Sequence, residues 1–444
     1  MDWARLISDK RLGMEDYHDT RGGSRSDFQR DFDRLVFSSP FRRLQNKTQV
    51  FPLPGSVFVH NRLTHSMEVA CVGRSMANEI AAALRSKYAS TAAGNAVESI
   101  GEIVAAACLA HDLGNPPFGH SGETAIATFF SEGDGAALES ELTPHQWADL
   151  VHFEGNANAF RLLTHQFHGR RQGGFAMTYS MLASIVKYPF TSTLAGERNK
   201  FGFFASEQDV FGRIASELGM ICRRDDAAGV SYARHPLVYI VEAADDICYE
   251  VMDIEDAHKL KILTTGEVKE LMLGFFDDER RHRCEKVMGR ISDKNEQVAY
   301  LRSGVIGALV NGCAQAFVDN EDAILRGEFS GQLLSHVPQR ERDAYGRCNA
   351  VSWDKIYRAP DVVNIELAGN RIITFLLEKL IHAVCNPKLN YSRLLLSQVP
   401  QQYDVHAPDL YGKVQAVLDH VSAMTDVYAL DLYRRLNGHS LPAV

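Results

Sequence analysis

Residues 97–120 read VESIGEIVAAACLAHDLGNPPFGH, and the fold turns on this stretch. Ile100, Val104 and Cys108 recur at helical spacing, and at roughly 100° per residue His111 falls about 20° from Ile100. The histidine therefore continues an apolar stripe, with Asp112 about 100° further round. Gly114 ends the helix, and Pro116-Pro117 prevent its resumption. The spacing predicts a helix over 97–112 that delivers a His-Asp pair into a turn rich in glycine and proline. Such a pair suits a metal. A core histidine tied to its neighbouring carboxylate is the plainer reading of the dipeptide taken alone.

Two other segments can complete a site. Asn61-Arg62-Leu63-Thr64-His65-Ser66-Met67-Glu68 opens an apolar helix carrying Met67, Ala70, Cys71, Met76, Ile80 and Leu84. Thr64 reads as its N-cap, which puts His65 in the first turn. Further on, Leu237, Ile240, Val241, Ala244, Cys248 and Val251 form one stripe. Asp245 borders that stripe, Asp246 points to the opposite face, and Asp245, Tyr249 and Asp253 make one i, i+4, i+8 row. A carboxylate at a core boundary is costly unless a cation or donor receives it. Two imidazoles and two carboxylates suit a mixed N/O site for a borderline or hard divalent ion, with positions left for water and substrate oxygen. The set lacks the thiolates of a closed structural zinc site.

The rest of the chain is consistent with an all-α body. Its 444 residues carry 47 Lys+Arg against 56 Asp+Glu, a net charge of −9, with 45% hydrophobic and 23% charged residues. That composition excludes a disordered chain. The mild acidity argues against a wholesale nucleic-acid field, leaving local basic patches at Arg170-Arg171 and Arg280-Arg281-His282-Arg283. The longest apolar run, Ile103 to Ala110, falls far short of the roughly 18 to 20 residues needed to cross a bilayer. The opening MDWARLISDKR lacks a secretory h-region. Single cysteines with no CxxC pair read as reduced thiols in a cytoplasmic protein. Helices are predicted near 27–38, 64–86, 97–112 and 236–254, the last opening at Pro236. Breaks are expected near Pro338, Pro360, Pro387 and Pro400, and loops at Ser131–Pro144, at 168–174 and at Gly22-Gly23-Ser24-Arg25-Ser26. The organisation expected is a polar N-terminal segment (1–34), a core (35–260) and a C-terminal helical portion (261–444) packed on it.

Longer strings carry a resemblance. Thr48-Gln49-Val50-Phe51-Pro52-Leu53, Arg62 to Val69, His111 to His120, His152-Phe153-Glu154-Gly155-Asn156, Glu242 to Tyr249 and Met424 to Ala429 resemble bacterial deoxyguanosine triphosphate triphosphohydrolases, members of the HD-domain phosphohydrolases. The likeness is weakest between about 165 and 235. It implies the all-α HD fold and a divalent ion, Mn²⁺ or Mg²⁺, on His65, His111, Asp112 and Asp245. It makes His120 and Glu123 the catalytic pair, and Arg62, Lys187 and Tyr188 contacts of the triphosphate. Tyr249 and Asp253 would meet the deoxyribose, and Gln49 and Val50 would border the nucleoside. Tyr357 and Glu366 would read the guanine; Arg393 and Lys200 are weaker matches. Asn115, where broader-range relatives often carry His, fits the dGTP-preferring branch.

The activity implied is hydrolysis of dGTP to deoxyguanosine and inorganic triphosphate, with water attacking the α-phosphorus. His120 would either activate water or protonate the leaving oxygen. A homo-oligomer, dimer or hexamer, is implied, and single-stranded DNA as a secondary partner; no membrane partner is expected. The rival readings are a broader dNTP triphosphohydrolase with an allosteric nucleotide site and a nucleic-acid-binding protein on the same fold. An HD phosphodiesterase would carry extra histidine ligands, and no HHxxxD string is present.

Overall fold

The computed structural model describes residues 1–15, 25–51, 59–196 and 199–440. Gly22, Gly23 and Ser24 of the expected loose segment, and Pro52-Leu53 of the string that begins at Thr48, lie outside them. The described chain is helical apart from one antiparallel hairpin, Cys222–Asp226 with Gly229–Tyr232. The all-α expectation holds.

Two hydrophobic cores organise the helices. The first is built on Arg62–Lys87, which packs against Ile100–Ala110, Pro236–Lys259 and Lys294–Leu325. Met76, Ile80 and Leu84 are buried there, each worth about 1.5–3 kcal/mol of transfer free energy. Trp3, Leu6, Leu12 and Phe28 from the polar N-terminal segment join the same core. The second core gathers His120–Ser131 with Pro360–Cys385, Leu410–Ser422 and Asp426–Leu436. Ala92–Ala110 and Lys294–Leu325 are long and apolar enough by composition to cross a bilayer. Here every residue of Ile100–Ala110 except Glu102 is buried.

Close approach among the first-core helices depends on small residues. A Cβ on Gly73 would lie 2.6 Å from Cys108 Sγ and 3.3 Å from Ala244 Cβ. The absence of that atom lets the Arg62, Ile100 and Pro236 helices meet, and each contributes a residue to the site described below.

Local details differ from the sequence expectations in instructive ways. The N-cap of the Arg62 helix is Asn61, not Thr64: Asn61 accepts from Thr64 N at 3.0 Å while the Thr64 hydroxyl accepts from Asn61 N at 3.1 Å. Asparagine caps as well as threonine, and the reciprocal bonds favour the earlier start. His65 therefore sits one residue past the first turn. The Ser131–Pro144 stretch is not plain loop, since Asp134–Glu141 winds as a 3₁₀-helix. The expected helices occur as Asp27–Val36, Arg62–Lys87, Val97–Ser99 continuing into Ile100–Ala110, and Pro236–Lys259. Pro360 falls in the first turn of its helix and Pro338 is the residue just before Gln339–Val351.

Candidate active site

The last turn of the Ile100 helix and the Gly/Pro turn after it carry the chain from the first core to the second. His111 is the helix C-cap. Its Nδ1 donates to Cys108 O at 2.6 Å, which turns Nε2 inward. His111 Nε2 lies 3.4 Å from Asp245 Oδ1 and 3.7 Å from Asp112 Oδ1 and makes no hydrogen bond among the described residues. His65 Nε2 lies 3.0 Å from the same Asp245 oxygen, and the two imidazole centroids are 5.5 Å apart. Ligand atoms of His65, His111 and Asp245 all fall within 4.8 Å of one another.

The electrostatics of this cluster follow from burial opposed by pairing. Burial works against a charged His111 ring, but Asp112 and Asp245 outweigh it and lift its pKa to about 9. Burial pushes Asp245 up, yet His111 and His65 hold it well below the usual carboxylate range. A divalent ion fits this cluster: an orphaned, buried imidazole nitrogen beside shared carboxylate oxygens is a donor set suited to one. Asp112, the remaining expected ligand, is engaged by Arg62 Nη1 at 2.8 Å and by Asn115 Nδ2. Arg62 is buried, and its Nε has no partner among the described residues.

The turn ends at Phe118 and Gly119, both at positive φ (62° and 58°), and His120 begins the next helix. His120 Nδ1 lies 3.2 Å from Glu123 Oε2, and the other Glu123 oxygen accepts from Gly155 N at 3.0 Å. The Glu123 hydrogen bond raises the His120 pKa above its ordinary value. The His120 side chain is 81% exposed, open to a ligand. Lys200 Nζ bonds Glu154 at 2.8 Å and lies 3.9 Å from Glu123.

Beside His120 opens a cavity of about 440 Å³. Gln49, Val50, Tyr249, Tyr357 and Glu366 line it together with His120. Tyr249 links this cavity to the imidazoles, its ring 6.5 Å from His65 and 6.0 Å from Tyr357. Asp253 is not open to solvent: Tyr357 Oη donates to it at 2.9 Å, and burial pushes its carboxyl well up. Lys187 pairs with Glu242 at 3.2 Å and, like Arg234, lies over the Tyr188 ring. Arg393 is on the exposed Asn390–Leu396 helix, bonded to Asn390 and outside the residues lining the cavity. Asp246, read from sequence as facing away from the apolar stripe, is half-buried, with its Oδ2 shielded from solvent. Burial raises its pKa to about 7, against the pull of Lys187.

Sequence reasoning assigned no role to several residues that belong here. Phe118, Trp353 and Arg358 line the cavity, and Arg358 lies 5.8 Å above the Trp353 ring. Trp353 stands one helical turn before Tyr357, which was the available signal. Asp426 accepts from Thr48 N at 2.8 Å and Phe118 N at 2.9 Å.

Residues 62–170 match the HD domain model and residues 335–435 match a phosphohydrolase-associated domain. A deoxyguanosinetriphosphate triphosphohydrolase-like protein of Pseudomonas aeruginosa is 37% identical over 100% of both chains. One of the same name from Synechocystis sp. is 36% identical over 99% of this chain and 100% of its own. A deoxyguanosinetriphosphate triphosphohydrolase of Serratia proteamaculans is 32% identical over 92% of this chain and 93% of its own.

Proposed function

The chain belongs to the deoxyguanosinetriphosphate triphosphohydrolase-like family of HD-domain phosphohydrolases, and on that premise we propose that it hydrolyses dGTP to deoxyguanosine and inorganic triphosphate. The observation that carries this reading is Tyr249, which lies between the His65–His111–Asp245 cluster and the cavity of Gln49, Val50, Tyr357 and Glu366. A ligand with a polyanionic end and an aromatic end can span both.

His65, His111, Asp112 and Asp245 would hold the divalent ion; their N/O donors admit Mg²⁺, Mn²⁺, Co²⁺, Fe²⁺ or Zn²⁺, and Mn²⁺ or Mg²⁺ is the choice put forward. Such an ion supplies Lewis-acid stabilisation of charge on the α-phosphoryl oxygens. Arg62 and Lys187 neutralise the rest of the polyanion, and Arg62 also fixes Asp112. Water oxygen bonds to the α-phosphorus, losing a proton to bulk solvent, as the bond to the 5′-oxygen breaks. His120 gives its Nε2 proton to that departing oxygen. Glu123, hydrogen-bonded to Nδ1, favours the charged ring that a proton donor needs. Tyr249 packs on the sugar, where a 2′-hydroxyl would meet the ring. Glu366 accepts from guanine N1–H and the 2-amino group. Family membership also supports a cytoplasmic homo-oligomer, a dimer or hexamer, which light scattering would test.

The test is product identity. With dGTP and Mn²⁺, mass spectrometry should find deoxyguanosine and triphosphate. Finding dGMP and pyrophosphate would reject the reaction, and equal rates across the four dNTPs would reject the guanine preference.

A further inference from the structure

Building on that reading, the geometry points to Asp426 as a positioning residue: one carboxylate from the C-terminal part of the chain holds both the turn that presents His120 and the segment that walls the base cavity. Its Oδ1 accepts from Phe118 N at 2.9 Å and its Oδ2 from Thr48 N at 2.8 Å. Phe118 is two residues before His120, and Thr48 immediately precedes Gln49 and Val50.

The turn needs outside support. Phe118 has φ of 62°, a region that residues with a side chain seldom enter, and Gly119 follows at 58°. On the other side, the Pro360 helix presses on Phe118 through Gly369, where a Cβ would come within 2.6 Å of Phe118 Cβ. The Thr48 segment is held in turn by a bridge to Asn61, the cap of the His65 helix. A second tie runs in parallel: buried Lys47 donates from Nζ to Asn115 O at 2.5 Å and Ser422 O at 2.7 Å. Residues 422–426 thus grip the catalytic turn at two points.

A carboxylate suits this place because it accepts on both oxygens, whereas an amide would aim an N–H₂ group at one of the two backbone donors. Asp426 is buried, so water does not compete for those donors. It also lies in the first turn of its own helix, where a negative charge is favourable. That helix-stabilising role is the plain alternative. The cap of the helix, however, is Thr425, whose hydroxyl accepts from Tyr428 N at 3.1 Å, so replacing Asp426 leaves the cap in place.

The test is Asp426→Asn in the full chain, with Asp426→Glu as the conservative partner. Steady-state kinetics on dGTP and dATP are read alongside backbone hydrogen exchange. Asp426→Asn should lower kcat for dGTP by about tenfold or more, because a loosened His120 is misplaced for proton transfer. It should also narrow the dGTP-over-dATP ratio as the Gln49–Val50 wall relaxes. Amides over 116–121 and 47–51 should exchange faster, while Mn²⁺ still binds, because Asp426 is not one of the residues that would hold the ion. Asp426→Glu, with both acceptor oxygens kept, should recover part of kcat. Parental kcat and base ratio in Asp426→Asn would overturn the inference. So would faster exchange confined to the Asp426 helix, the mark of helix stabilisation alone. If the parent leaves dGTP intact, the activity reading fails, and the exchange at 116–121 and 47–51 still decides the role of Asp426.

Discussion

His111 is committed at one nitrogen and vacant at the other. Cys108 O takes the Nδ1 proton, and Nε2 faces two carboxylates without a hydrogen bond. His111→Ala should therefore abolish Mn²⁺ binding in a titration calorimeter and lower turnover about a thousandfold, the loss of several kcal/mol of charge stabilisation. Glu123 governs a different property. The hydrogen bond it makes to His120 raises that imidazole's pKa. If His120 is the proton donor, activity falls as pH rises through that pKa. Glu123→Gln removes the charge that favours the protonated ring, so the alkaline limb of kcat/KM should move to lower pH, with a rate loss of about tenfold to a hundredfold. An unmoved limb would detach Glu123 from the proton transfer.

The turn after the Ile100 helix shows how elements hold these residues. Gly114 rests directly on the helix that starts at Gly155: a Cβ there would lie 2.1 Å from both Gly155 O and Ala159 N. Gly114→Ala must push two backbones apart and should lower stability by about 1–3 kcal/mol in urea unfolding, with loss of activity. Parental stability would show that the turn can shift freely. The helix leading to His111 was legible because apolar spacing and a proline pair lie within one short stretch, but its stop was placed too late: the helix ends at Ala110 with His111 as C-cap, ahead of Gly114. The cap was misread: Asn61 and Thr64 both suit an N-cap, and only the reciprocal bonds decide between them. Asp426 was not legible as a site residue, because what it does depends on which distant backbone it meets, whereas Trp353 carried a signal in its one-turn spacing from Tyr357.

At the scale of the molecule, the site lies where two cores join. His65, His111 and Asp245 stand on helices of the first core, His120 opens a helix of the second, and Asp426 reaches back from the far end of the chain. The partition mixes residues 125–157 with 372–432 in one core, an arrangement that linear periodicity cannot display. Acid stability is a property at this scale. Burial holds His235 and His420 near a pKa of about 4, against about 6.5 in an unfolded chain. A depressed folded pKa means stability that is present above about 6.5 and lost as pH falls towards about 4. Asp149 and Glu250, raised by burial to about 7, work the other way, so the parent curve blends both. His420→Leu isolates one contribution: between pH 7.5 and 4.5 it should lose about 2–3 kcal/mol less stability than the parent. Parallel curves would mean that His420 is already solvated.

The central claim is that the imidazoles and carboxylates of these remote helices share one cation next to a nucleotide cavity. Anomalous diffraction from crystals grown with Mn²⁺ and a slowly hydrolysed dGTP analogue tests it directly. The account predicts one peak bonded to His65 Nε2, His111 Nε2, Asp112 and Asp245 at about 2.0–2.2 Å, with the base against Tyr357 and Glu366. A peak bound elsewhere, or none while His111 Nε2 stays unbonded, would contradict it.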